Sequence, residues 1–496
     1  MNKGIVKITG AGIGPADMLT IRAKKALDDC DVIVYDRLLN ENIIKPYLGK
    51  KEMYYAGKTA GDHYLTQDQI NDLILEKAKE GKTVVRLKGG DPYIFGRGGE
   101  EALHLLENGV DFEVIPGITS GVLSLMYAGI PATFRDIATS ISFITGHRSQ
   151  GTEANFSQYA DLEGTLVFYM GLNNLDQLSS DLIAAGMDKD RPAAVIMHGG
   201  YPDQRVQVST IENIYSDIQG KGFGSPALIV VGDVINLRDQ LNFYENLPLF
   251  SKKVLVTRAR SQASSLREKL ENLGAQVIEA PCIEIKEVEN PDFIAAIKDF
   301  DKRAYSHLVI HSVNGGEIFF KHFLKYRDLR DLAGVKICSI GKMTSKLIRS
   351  YGLRPDIEPE NFVGEDLLAA IKADSTEEKK IFLAHSNLSR QDLLQGYRDL
   401  GQLDAFVVYE NTLPEERVDF GEVDYGLFTS SSTVENYLKL YGKESLAGAK
   451  VVSIGDITSK TIKDQGLDLY GQSKEATIDS LIEFLKEDVE NENEKN

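Results

Sequence analysis

Cysteine is scarce: three in 496 residues, Cys30, Cys282 and Cys338, widely spaced and odd in number. Such a set builds neither a disulfide framework nor a CxxC metal pattern. A reducing cytoplasm suits it. No apolar run approaches the roughly 20 residues needed to cross a bilayer. The chain start reaches glycines too soon to read as a signal peptide. Basic residues are outnumbered, 56 Lys and Arg against 74 Asp and Glu, for a net charge of −18. The basic footprint of nonspecific nucleic-acid binding is therefore missing. An anionic small substrate is still compatible, because a local pocket can be basic on an acidic protein. No HExxH motif or Cys/His cluster occurs. His307 and His311 are four apart, but HLVIH reads as a strand, which would separate them by roughly 13 Å. No metal is expected.

The length calls for two to four domains. Hydrophobic residues at 42% and charged residues at 26% are an ordinary globular balance. Strand-like segments alternate with helical ones. Strands are expected at residues 4–9 (GIVKIT), 31–35 (DVIVY), 83–88 (TVVRLK), 165–169 (TLVFY), 193–197 (AAVIM) and 227–231 (ALIVV). Alternation of this kind predicts α/β architecture, and strands apolar on both faces predict substantially parallel sheets. A boundary falls near residues 247–250, after which 253–257 (KVLVT) opens a new strand. The second half holds an internal repeat: LAGVKICSIGKMTSK at 332–346 and LAGAKVVSIGDITSK at 446–460, ten of fifteen positions identical. A serine-ended strand precedes each copy (LVIHS at 308–312, GLFTS at 426–430), and a glycine-terminated helix follows, at Gly352 and Gly466. Two similar lobes with a ligand cleft between them are expected. The polar, acidic residues 487–496 read as disordered.

The first strand runs into Gly10, Gly12 and Gly14, and Asp36 ends the next strand but one helix later. This suggests a dinucleotide fingerprint, and with it a nicotinamide-dependent oxidoreductase. The third glycine position, however, is Pro15. A second cluster, GGDPYIFGRGGEE from Gly89 to Glu101, follows a strand directly. Five glycines exceed what a turn requires and let backbone approach a ligand closely.

Several segments together resemble the uroporphyrinogen-III C-methyltransferase family over roughly residues 1–245. They are RLKGGDPYIFGRGGEE (86–101), VIPGITS (114–120), YAGIP (127–131), TGH (145–147), TLVFYMGL (165–172) and PALIVVGDV (226–234). The resemblance implies a two-lobed tetrapyrrole methylase fold, lobes about 1–133 and 134–248, usually homodimeric, with S-adenosylmethionine between the lobes as methyl donor. It places donor contacts at Gly89, Gly90, Asp91, Ile94, Thr119, Ser120, Met170 and Gly199. Ile13 stands where the family has a proline, so any contact there falls to its backbone. The same matching makes Asp36 the proton acceptor and Lys58 the proton donor. On their own these two would read as a helix-capping carboxylate and a solvated lysine, and Met170 as core. Arg37, Arg97 and Arg135 are candidates for the substrate's carboxylates, since guanidinium recognises carboxylate by a planar fork. Each also fits a surface salt bridge.

The second half, about 252–489, resembles uroporphyrinogen-III synthase. KVLVTRARSQASSLREKLENLGAQVIEAPCIEI (253–285), FTSSSTVENY (428–437) and the two SIG…TSK segments carry the likeness. It implies a two-lobed α/β fold with a discontinuous first lobe, 252–285 plus 413–489, and a second lobe, 286–412. Tyr409 matches a tyrosine proposed as the acid for a leaving hydroxyl, with core packing as the plain alternative. Ser312, Thr344, Ser430 and Thr458, at equivalent points of the lobes, are candidates for binding carboxylates, or caps of their helices. A non-catalytic carboxylate-binding protein is the rival for this half. The expected partners are small tetrapyrroles, not nucleic acid or membrane. A bifunctional enzyme is expected, cyclising hydroxymethylbilane to uroporphyrinogen III and methylating that to precorrin-2.

Overall fold

Short apolar strands, most of four to six residues, alternating with helices dictate layered α/β structure. The computed structural model describes residues 4–37, 39–57, 65–146, 156–257, 260–360, 363–376 and 378–494, with backbone only at 260–264. Met1–Lys252, with Leu270–Gln276 and Val489–Asn496, forms one compact unit; Lys253–Lys269 with Val277–Asp488 forms a second.

The first unit begins with β1 (Ile5–Gly10), β2 (Val32–Tyr35), β3 (Glu52–Tyr55), β4 (Thr83–Lys88) and β5 (Asp111–Ile115). They form one sheet in the order β3-β2-β4-β1-β5, all parallel. Two of the longer helices between them start at sequence-legible caps. Thr20 caps Ile21–Asp29, and Thr66 with Gln69 forms a reciprocal capping box for Gln67–Lys79. The two faces of the sheet carry separate apolar clusters, one around Ile33, Val85 and Leu87, the other around Val32, Val34 and Ile74.

A second sheet holds β6 (Ile141–Thr145), β7 (Thr165–Tyr169), β8 (Pro192–Met197), β9 (Arg205–Thr210) and β10 (Ala227–Val231), in the order β6-β7-β10-β8-β9. Here the expectation of parallel strands fails. Only β6–β7 is parallel, while β7–β10, β10–β8 and β8–β9 are antiparallel. Double-sided apolarity reports burial on both faces, not strand direction. The short return between β8 and β9 is closed by Tyr201 N–H to His198 O (3.0 Å) and Gln204 N–H to Tyr201 O (2.9 Å).

The second unit opens with β11 (Lys253–Val256) and β12 (Gln276–Glu279), which begins at the unit boundary. The chain then builds a complete sheet from β13 (Glu284–Glu287), β14 (His307–Ile310), β15 (Lys336–Ser339), β16 (Lys379–Ser386) and β17 (Gly401–Thr412). It returns as β18 (Tyr425–Phe428), β19 (Lys450–Ser453) and β20 (Leu469–Gln472). The orders are β12-β11-β18-β19-β20 and β13-β17-β16-β14-β15. Only β13 runs antiparallel to its neighbour in the latter sheet.

The acidic terminus differs from its expected disorder: one helix spans Ile478–Asn493. Asp488 on this helix accepts hydrogen bonds from Tyr425 (2.8 Å), Lys450 (2.5 Å) and Tyr470 (2.6 Å). Those three partners lie in distant strands, so local composition could not reveal them. No described helix is long and apolar enough to cross a membrane.

Candidate active sites

In the first unit, loops at the ends of β1, β4, β5, β7 and β8 converge. Gly12 and Gly90 exchange two backbone hydrogen bonds (3.1 and 2.8 Å), both with φ near +70°. Side chains resist that conformation. A Cβ on either would find nothing nearer than 3.7 Å, so the paired backbones form an open floor. Beyond Gly90, Asp91 spends both carboxylate oxygens on its own surroundings: Oδ1 accepts from Tyr93 N (2.9 Å) and Oδ2 from Gly117 N (3.2 Å). Asp91 therefore ties the β4 loop to the β5 loop. Thr119 Cα and Ser120 N lie 3.8 Å from where a Gly90 Cβ would stand, which puts both residues beside the floor with Gly89. Ile13 is half-buried against Leu123 and Tyr127, Ile94 leans on the cluster holding Tyr169, and Gly199 backs onto Ser124. Met170 is not core: it has φ +55° and is 54% exposed. A bulky residue is rarely held in the left-handed region without a local reason. The described candidate donor residues thus come from several elements toward the paired glycines. The open glycine floor fits a small ligand held by main-chain groups.

Asp36 does not cap a helix. Its Oδ1 accepts from Arg86 NH2 at 2.8 Å. Arg86 is only 2% exposed and also donates to Glu101 Oε1 (3.1 Å), which accepts from Lys88 Nζ (2.8 Å) and Gln67 Nε2 (3.2 Å). Arg86, Lys88 and Glu101 are thereby buried together with the partly exposed Asp36 at their edge, the arrangement that makes buried charge tolerable. Burial, reinforced by the Arg86 charge, lowers the Lys88 pKa below its ordinary value, and Glu101 opposes this. The strand TVVRLK is therefore not apolar on both faces as expected; Arg86 and Lys88 in a buried strand were the overlooked signal. Lys58 lies outside the described residues. Arg97, with φ +58°, is exposed and doubly bonded to Glu100 (2.9 and 2.6 Å). Arg37 and Arg135 are exposed, and neither forms an ion pair among the described residues.

In the second unit, Tyr409 is buried on β17, and its hydroxyl lies 2.9 Å from Ser312 Oγ. Ser312 caps the helix Val313–Tyr326 through Gly315 N (3.0 Å). The phenol is thus fixed by a residue that is itself fixed. Ser430 caps Ser431–Tyr441 in the same way, through Thr433 N at 3.3 Å. Thr344 and Thr458 are buried in the first turns of Lys342–Ser350 and Asp456–Asp464. Neither of these helices has a side-chain cap, so their leading N–H groups are available to an anion. His311 Nε2 meets Tyr397 OH at 2.8 Å, and no cluster of three metal-binding side chains exists among the described residues. The cysteines are buried and free, and burial pushes the Cys30 thiol up to about 11 and the Cys282 thiol up to about 12.

Comparison with known proteins resolves the competing readings. The family of Tetrapyrrole (Corrin/Porphyrin) Methylases matches residues 7–215, and Uroporphyrinogen-III synthase HemD matches 264–483. A porphyrin biosynthesis protein HemD of Ruminiclostridium josui is 38% identical over 499 residues, covering 98% of each chain. The chain belongs to this family of fused tetrapyrrole methylases and HemD synthases. A uroporphyrinogen-III C-methyltransferase of Bacillus subtilis is 36% identical over 78% of this chain and 77% of its own. An S-adenosyl-L-methionine-dependent uroporphyrinogen III methyltransferase of Methanosarcina barkeri is 44% identical over 48% of this chain and 95% of its own. The nicotinamide reading of the glycine turn and the non-catalytic reading of the second half both give way. The methylase unit and the synthase unit are enzyme domains on one chain.

Proposed function

We propose that the synthase unit cyclises hydroxymethylbilane to uroporphyrinogen III and that the methylase unit converts this product to precorrin-2. The observation that carries the reading is a shared name: uroporphyrinogen III is the product of the matched synthase family and the substrate of the methyltransferase relatives. S-adenosylmethionine, when bound, supplies a sulfonium methyl to an electron-rich ring carbon. The chain's own task is then alignment and proton removal. Gly89, Gly90, Thr119, Ser120 and Gly199 offer main-chain groups around the cleft, with Ile13, Ile94 and Met170 along it. Asp91 acts by holding two loops together. Asp36 accepts the ring proton, its carboxylate oriented by Arg86, and Lys58 returns one. Arg37, Arg97 and Arg135 meet substrate carboxylates. In the synthase unit, Tyr409 protonates the leaving hydroxyl, which departs as water. Ser312 and Ser430, with the helix starts carrying Thr344 and Thr458, take the carboxylates.

A homodimer through the methylase unit is favoured by the exposed Leu103 and Leu106 on the helix Gly98–Glu107. Three buried free thiols suit a cytoplasmic setting. The units are tested separately in the intact chain. Asp36→Asn should leave cyclisation at the parental rate and stop the product at uroporphyrinogen III. Parental methylation in that variant removes Asp36 from the reaction.

A further inference from the structure

We propose that Tyr169 is a positioning residue for methyl-donor binding, its phenol hydroxyl setting the Thr119–Ser120 turn while its backbone delivers Met170. The inference rests on the donor-cleft reading above. The helix Ser120–Tyr127 begins after Thr119, a residue type that usually caps with its own hydroxyl. Thr119 makes no such cap bond. Instead, Gly121 N donates to Tyr169 OH at 2.7 Å, and Thr119 Oγ1 shares a 2.8 Å hydrogen bond with the same oxygen. The cap of this helix therefore comes from β7 in the other sheet.

The surroundings are built for that hydroxyl. A Cβ on residue 121 would stand 2.2 Å from the phenol oxygen, so only glycine admits it. The buried ring is gripped by Phe95 (centroids 4.9 Å apart) and Phe143 (5.7 Å). Phe95 follows Ile94 and has φ +54°; Met170 follows Tyr169 and has φ +55°. One phenol thus joins three segments that carry donor candidates: the loop with Asp91 and Ile94, the Thr119–Ser120 turn, and Met170. Burial raises the phenol's pKa above its ordinary value, against the opposing bonds from Thr119, Gly121 N–H and Ser120. The hydroxyl therefore remains protonated at neutral pH.

The test is calorimetric titration of the full-length protein with S-adenosylhomocysteine, alongside thermal melting. Tyr169→Phe keeps the ring and should weaken binding by about tenfold, the size expected when a buried N–H loses its acceptor. Tm should move by only a few degrees, and in turnover the donor KM should rise more than kcat falls. A purely structural latch would lower Tm and leave donor affinity alone. Thr119→Val and Thr119→Ser provide a second, milder pair: Val should weaken binding more than Ser does. Parental affinity in Tyr169→Phe, with binding lost in Asp91→Ala, overturns the positioning role alone. If Tyr169→Phe does not fold, equal affinities for Thr119→Val and Thr119→Ser overturn it instead. Failure of the parent chain to bind the probe overturns the donor-cleft reading itself.

Discussion

The two copies of the repeat in the synthase unit share a frame and diverge at its edge. In each, a serine past the strand caps a helix, Ser312 in one and Ser430 in the other. In each, a buried serine pair locks the next strand to the next helix: Ser339–Ser345 at 2.5 Å and Ser453–Ser459 at 2.6 Å. The divergence begins beyond these. Ser312 meets Tyr409, whereas Ser430 meets Ser432 (3.1 Å) and Thr433. Lys342 opens one uncapped helix; Asp456 opens the other and is held by Gln472 at 2.8 Å. The shared residues thus build the same frame in both copies, and the copies differ in what their capping serines meet.

The largest expected effect follows from that asymmetry. Tyr409→Phe removes the proposed acid and should lower synthase turnover by about 10²-fold or more. A fall of less than about threefold would leave Tyr409 as packing and restore symmetry between the lobes. Next, Ser312→Ala should cost about tenfold in turnover because it frees the phenol, while Ser430→Ala should stay within about threefold, each losing a helix cap worth about 1 kcal/mol of stability. Equal effects on turnover would break the comparison.

A third prediction concerns pH. Burial holds the His311 pKa down from 6.5 to about 4, with His385 adding to the shift. A depressed histidine favours the neutral folded form, since the unfolded chain takes up the proton first. Stability should therefore be intact above about pH 6.5 and decline as pH falls toward 4, by roughly 1–2 kcal/mol at pH 5. The equivalent residue of the other copy is Thr429. His311→Thr should flatten this dependence in urea unfolding measured at pH 7 and pH 5; an unchanged slope would show that other groups govern it. The smallest effect is at the serine pairs. Ser345→Ala removes one buried bond and should destabilise by about 0.5–1 kcal/mol, and Ser459→Ala, which also loses a bond to Gln472 Oε1 (2.5 Å), should destabilise by more.

Much of this organisation was legible from residue patterns. TVVRLK, TLVFY and ALIVV delimit β4, β7 and β10 as the structure has them, and the repeat announces its two lobes. The two glycine clusters lie side by side, Gly12 paired with Gly90. What escaped reading depended on distant partners. Arg86 and Lys88 went unremarked in a strand expected to be apolar, and their partners Asp36 and Glu101 come from other segments. The acidic terminus looked disordered until Tyr425, Lys450 and Tyr470 supplied its partners. Thr344 and Thr458 drew attention because they repeat, and both are buried in the first turns of their helices. Tyr169 stood inside a quoted motif, but its role lies in a hydrogen bond to a helix 48 residues earlier in the chain.

The central claim is that one chain makes uroporphyrinogen III and then methylates it. Full-length protein incubated with hydroxymethylbilane and S-adenosylmethionine, followed by product mass and absorption spectrum, tests this directly. The predicted result is precorrin-2, with unmethylated uroporphyrinogen III accumulating when the donor is withheld. Recovery of only the uncatalysed ring-closure isomer, or of uroporphyrinogen III that stays unmethylated with donor present, would contradict it.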